Sequence, residues 1–187
     1  GAPDGTLAIH RAGSDAHAAM LDDRFQTFVA FAPWGMQAGI WDSEGLEAIE
    51  APLFLIAGSA DSVSGYENGI RKIFEQAANA ERFLLTYENA GHNAGAPMPP
   101  PDESWVPVDN LDFIPFEHYA DPVWDSVRMN NIAQHFLTAW LDWHLRSQFD
   151  KATYFDLVER SGDGVWSHDA NGNETANHTH WRGFARG

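Results

Sequence analysis

Cysteine is absent from these 187 residues, which excludes disulfides, thiolate metal sites and a thiolate nucleophile together. Basic residues are scarce as well: 11 Lys and Arg stand against 27 Asp and Glu, a formal charge of −16. An acidic surface of that size repels phosphate backbones and anionic lipid, so nucleic acid is not an expected partner. No apolar run approaches the roughly 18 residues of a bilayer-spanning helix, and no membrane span is expected. The opening Gly1-Ala2-Pro3-Asp4-Gly5 has neither a basic n-region nor an apolar h-region, so no signal peptide is legible there. Internal repeats and low-complexity tracts are also missing. What is present is a globular composition, 44% hydrophobic and 20% charged, in a chain long enough for one domain with a sizeable core.

Short apolar runs punctuate the first half. Gln26 to Ala32 (QTFVAFA), closed by Pro33-Trp34-Gly35, reads as a buried strand. Pro52 to Gly58 (PLFLIAG) and Arg82 to Tyr87 (RFLLTY) read the same way. Between the last two, Gly65 to Ala78 sets Tyr66, Ile70, Ile73, Phe74 and Ala77 on one face of a helix. Strand, helix, strand with short apolar strands predicts a βαβ crossover in a mostly parallel sheet flanked by helices. A proline-rich, aromatic stretch follows, and residues 93–120 are read as a lid or pocket loop. Asp121-Pro122 then resembles an N-cap with Pro at the first helical position. The helix expected from there to Leu145 aligns Met129, Ile132, Ala133, Phe136 and Trp140, with Leu137, Leu141 and Leu145 widening the stripe. From Gly162 the tail reads as loop with one terminal strand.

Two residues stand just past apolar strands, where open α/β sheets place their chemistry. Asp61 lies in Gly58-Ser59-Ala60-Asp61-Ser62, and His92 lies in Asn89-Ala90-Gly91-His92-Asn93. One helix and one strand separate them, so both turns emerge on the same sheet edge. A carboxylate that orients an imidazole is the base half of a Ser-His-Asp triad, and α/β-hydrolases run in the order nucleophile, acid, histidine. An Asp after a strand also serves as a helix cap or turn residue, so the pair alone leaves both readings open.

The run APLFLIAGSADSVSGYENGIRKIFEQAANAERFLLTYENAGHNAGAP resembles the acid-to-histidine stretch of predicted dienelactone hydrolases and bacterial relatives of platelet-activating-factor acetylhydrolase. DDRFQTFVAFAPWG upstream, and DPVWDSVRMNNIAQHFLTAWLDWHL with HWRGFARG downstream, extend the likeness over nearly the whole chain. The resemblance implies the C-terminal part of one α/β-hydrolase domain over residues 1–187, with Asp61 as triad acid and His92 as general base. It implies hydrolysis of a small-molecule carboxylic ester without any cofactor. Trp34 becomes a wall of the substrate pocket; Trp105 and Trp124 are further pocket candidates on separate grounds, since they lie in or near the loop at 93–120. It also leans towards a secreted or periplasmic setting.

The sequence departs from that pattern in one respect. Gly-x-Ser-x-Gly occurs nowhere, nor does the His-Gly pair that feeds the oxyanion hole in relatives. Both elements normally precede the strand at Gln26, so the nucleophile half is expected to lie in an N-terminal half, on the same or a second chain. Ser59, Ser62 and Ser64 lack elbow glycines and are expected to be turn residues donating to the Asp61 carboxylate. Little hydrolysis is expected from residues 1–187 alone. The same fold serves peptidases, thioesterases and dehalogenases, and a non-catalytic α/β-hydrolase-like binding domain is the alternative outside enzymology.

Nine histidines also raise a metal reading. His168, Asp169, His178 and His180 gather ligand types in the tail, but no His-x-x-x-His or His-Glu-x-x-His motif accompanies them. The glycine in Asp169-Ala170-Asn171-Gly172-Asn173-Glu174 comes too early for an EF-hand, and Asn-Gly turns explain the run. No metal is assigned. His135, His144, Trp140 and Trp143 are read as helix packing residues, and His118 as a surface residue of the loop.

Overall fold

Alternation of short apolar runs with helical segments yields a parallel sheet flanked by helices. The computed structural model describes residues 10, 13–96, 98–161 and 166–178. After a single helical turn, α1 (Asp15–Ala18), come β1 (Phe28–Phe31), α2 (Ser43–Glu47), β2 (Leu53–Gly58), α3 (Arg71–Gln76) and β3 (Arg82–Tyr87). The three strands pair in parallel in the order β1-β2-β3, with Phe28 opposite Leu53 and Leu53 opposite Arg82. This is a mixed α/β arrangement.

The central strand β2 is buried along its whole length, as a parallel strand covered on both faces must be. Leu53, Leu55 and Ala57 point to one face and pack with Ala32, Leu46, Ile70, Ile73, Ala77 and Ala80. Phe54 and Ile56 alternate to the other face and are equally buried. The helical face read from the sequence therefore supplies one side of the core, with Tyr66 and Phe74 partly buried at its margin.

Element boundaries differ from the sequence reading for local reasons. The first strand is shorter than Gln26–Ala32: the Thr27 hydroxyl donates to the Pro52 carbonyl, and Ala32 turns the chain with φ of 42°. The helix expected from Gly65 opens instead as one π-helical turn, Tyr66–Ile70, in which Ile70 N–H reaches back to Gly65 O. That wide turn brings Gly69 onto the Ser64 carbonyl, which a Cβ there would meet at 2.0 Å. Glycine is required at that position.

The long helix α4 runs Ser126–Arg146, starting four residues beyond Pro122. Asp125, not Asp121, caps it, its carboxylate accepting the Arg128 N–H at 2.7 Å. Met129, Ala133, Phe136, Ala139 and Trp140 are its buried residues, whereas Leu145 is exposed and does not widen the stripe. Within α4 the chain divides into two compact units, Gly1–Met129 and Asn130–Gly187.

In the second unit Trp140 meets Trp143 and Phe155 edge-on, and His144 lies against both indoles. His135 packs between Phe136 and Tyr154. The tail holds an antiparallel pair, β4 (Trp166–His168) and β5 (Glu174–His178), where one terminal strand was expected. Asp169 makes the connection: its carboxylate accepts the backbone and side-chain N–H groups of Asn173 and the backbone N–H of Asn171, which hold its pKa below the ordinary carboxylate value, and Gly172 takes a positive φ. The expected match over HWRGFARG, like His180, lies outside the described residues. Among the described residues no helix is long and apolar enough to cross a membrane.

If β2 is the centre of the first unit, Ile56→Ala should lower its unfolding free energy by about 2–5 kcal/mol. Urea denaturation followed by tryptophan fluorescence measures this, and a loss under about 1 kcal/mol would place Ile56 outside the core.

Candidate functional site

Parallel pairing sends the carboxyl ends of β2 and β3 to one edge, and the turns that follow them carry Asp61 and His92. Those turns interlock. Ala60 N–H donates to Ala90 O at 2.9 Å, Ser59 N–H donates to Tyr87 O at 3.0 Å, and Asn89 N–H donates to Ser59 Oγ at 2.7 Å. Gly58 permits the approach: a Cβ there would lie 2.3 Å from the carbonyl oxygens of both Ala90 and Gly91. Asn89 makes the bend in the left-handed region with φ of 63°, a conformation its side chain tolerates well.

Within this frame His92 Nδ1 lies 3.0 Å from Asp61 Oδ2. The Asp61 side chain is 0% exposed, so its oxygens need donors from the protein. Oδ1 receives the backbone N–H groups of Val63 at 2.8 Å and Ser64 at 2.9 Å, and Oδ2 faces the imidazole. The expectation that serine hydroxyls serve this carboxylate is corrected. Ser64 Oγ donates to Ala32 O and Ser59 Oγ accepts from Asn89, because backbone amides of the tight turn already fill Oδ1.

His92 is 38% exposed at the side chain. With Nδ1–H given to the carboxylate, a neutral ring carries its lone pair at Nε2. The arrangement is therefore a buried, saturated carboxylate holding one edge of a solvent-accessible imidazole. It is fitted to move a proton at Nε2.

The remaining assigned residues do not all gather here. Trp34 follows β1 and is 53% exposed, its carbonyl accepting Trp41 Nε1–H. Trp105 ends a short 3-10 turn, Asp102–Trp105, and stacks on Phe116 at 3.6 Å between centroids. Trp124 is half-buried against Tyr87, and its indole N–H donates to Glu88 O at 2.8 Å, beside the histidine turn. His118 is exposed and edge-on to Phe113. A separate depression of about 400 Å³ in the second unit, lined by residues such as Asn131, Asp142 and Lys151, holds none of the assigned residues.

No family model, curated protein or solved structure matches this chain. The site thus rests on its own geometry.

That geometry adds residues the sequence reading passed over. Gly95 lies on the Phe31 ring, which a Cβ would meet at 2.2 Å, so Phe31 floors the histidine turn. Asp121, read as a helix cap, accepts Gly91 N–H at 2.7 Å. Gly58 carried a sequence signal, a glycine closing a buried strand; Phe31 and Asp121 carried none that separates them from core and cap residues.

Gly58→Ala should force the Ala90–Gly91 carbonyls away and destabilise the first unit by about 1–3 kcal/mol. Urea midpoints for the two proteins decide it. A change under about 0.5 kcal/mol would mean the turns have room to spare.

Proposed function

We propose that this chain supplies the acid and the base of a serine ester hydrolase with an α/β-hydrolase fold of the dienelactone-hydrolase-like group. The observation that carries the reading is the 3.0 Å contact between His92 Nδ1 and the wholly buried Asp61, with the imidazole still open to solvent. The parallel sheet, the carboxyl-edge position of both residues and their order along the chain support it.

In this mechanism a serine hydroxyl attacks the ester carbonyl while His92 Nε2 takes its proton. Asp61 holds the ring in the required tautomer and stabilises the imidazolium. The proton then passes to the leaving alcohol, and water repeats the sequence on the acyl-enzyme. No redox group or metal is called on. Backbone N–H groups beside the serine bind the oxyanion.

In this reading the serine lies on polypeptide other than these 187 residues: no Gly-x-Ser-x-Gly occurs in them, and beside Asp61 the Ser64 hydroxyl donates to Ala32 O while Ser59 Oγ accepts from Asn89 N–H. Among the described residues β1 pairs only with β2, and it leaves Phe28 and Phe31 substantially exposed beside Phe25 and Trp34. An open strand edge lined with aromatic rings is the surface that the serine-bearing segment covers in this reading.

Intact mass and N-terminal peptide sequencing of the protein isolated from its source should reveal a polypeptide with Gly-x-Ser-x-Gly. That preparation should hydrolyse short p-nitrophenyl esters, and a fluorophosphonate should label its elbow serine. Residues 1–187 alone should give little turnover. In the complete protein, Asp61→Asn and His92→Ala should each reduce turnover by about 10⁴-fold without loss of fold. Near-normal turnover in either variant removes that residue from the chemistry.

A further inference from the structure

The histidine turn is short of restraints of its own. Gly91 and Gly95 bracket His92, and glycine backbones are the costliest to hold in one conformation. The structure supplies the restraint from outside, on both neighbours of His92. On the N-terminal side, Gly91 N–H donates to Asp121 Oδ2 at 2.7 Å. The same carboxylate accepts Val123 N–H at 2.9 Å and Trp124 N–H at 2.8 Å through Oδ1. On the C-terminal side, Asn93 Nδ2 donates to the carbonyls of Glu117 and Ala120, both at 2.8 Å. Segment 117–124 therefore grips the turn immediately before and immediately after the imidazole.

We propose that Asp121 is a positioning residue for His92. Together with Asn93, it makes the orientation of the imidazole depend on segment 117–124 being folded back onto the turn. This rests on the reading of His92 as general base, and it goes further by linking a loop remote in sequence to the base. Carboxylate-to-amide bonds are among the stronger hydrogen bonds in proteins. Gly91 has no side chain through which another contact would replace this one. Asp121→Asn tests the point sharply. Its single carboxamide oxygen stays with the two donors Val123 and Trp124, which leaves an N–H₂ group facing Gly91 N–H.

The experiment uses the ¹⁵N-labelled 187-residue protein. Hydrogen exchange of the Gly91 and His92 amides is read alongside the low-field proton resonance of His92 Nδ1–H. In Asp121→Asn the Gly91 amide should exchange about 10- to 100-fold faster. The low-field resonance should broaden or vanish while the thermal midpoint and Trp124 fluorescence stay close to wild type. Asn93→Ala should move the same signals in the same direction and serves as the test if the first variant loses its fold. Unchanged exchange and an unchanged low-field resonance in the folded variant overturn the proposal. In the ester-hydrolysing complete protein, Asp121→Asn should lower kcat with KM retained. Absence of ester hydrolysis there, alongside altered exchange, would remove the hydrolase reading and leave the positioning role standing.

Discussion

The constraint on which the site depends is the approach of Gly58 to the Ala90 and Gly91 carbonyls, where any side chain would collide. It lets the turn after β2 lie directly on the turn after β3. Three hydrogen bonds then join the two turns, and only with them joined does the Asp61 carboxylate reach the His92 ring. On the proposed reading the pair needs rigid support more than strong pairwise attraction, because the direction of the imidazole decides whether it can accept a proton.

The support is layered. Beneath the turns, β2 is buried on both faces and fixes the heights of its neighbours. Beside them, Tyr87 donates its hydroxyl to Met129 O at 2.6 Å and meets Trp124 edge-on. Above them, Asp121 and Asn93 fasten the following segment to the histidine turn. Buried polar atoms are satisfied mostly by backbone groups here, and that is why the serine hydroxyls near Asp61 play no part in holding it. Backbone amides in a tight turn are already aligned and cost little entropy to present, whereas a hydroxyl must be ordered first.

The readable parts of this protein were those governed by periodicity and by strand ends. The run PLFLIAG became β2 without its first residue, RFLLTY became β3 unchanged, and the face of Ile70, Ile73 and Ala77 packed into the core. Asp61 and His92 were legible because each follows an apolar strand directly. The rest turned on contacts between distant residues. Asp125 and Asp121 look alike as caps in sequence; Asp121 accepts the N–H groups of Val123 and Trp124 over a turn that does not continue, and α4 starts after Asp125. The π-helical opening depends on Gly69 meeting the Ser64 carbonyl, and the tail's hairpin depends on Asp169 closing its own turn.

By itself the sequence determined which segments become buried strands and which residues stand at their ends, since side-chain alternation and turn residues act over a few positions. It also determined that these 187 residues contain neither a cysteine nor a Gly-x-Ser-x-Gly. The tertiary structure alone decided that Asp61 and His92 meet at 3.0 Å, that backbone amides rather than hydroxyls saturate the carboxylate, and that Asp121 grips the turn before the imidazole. Those outcomes depend on packing a glycine strand end against a neighbouring turn, a distance that no local pattern encodes.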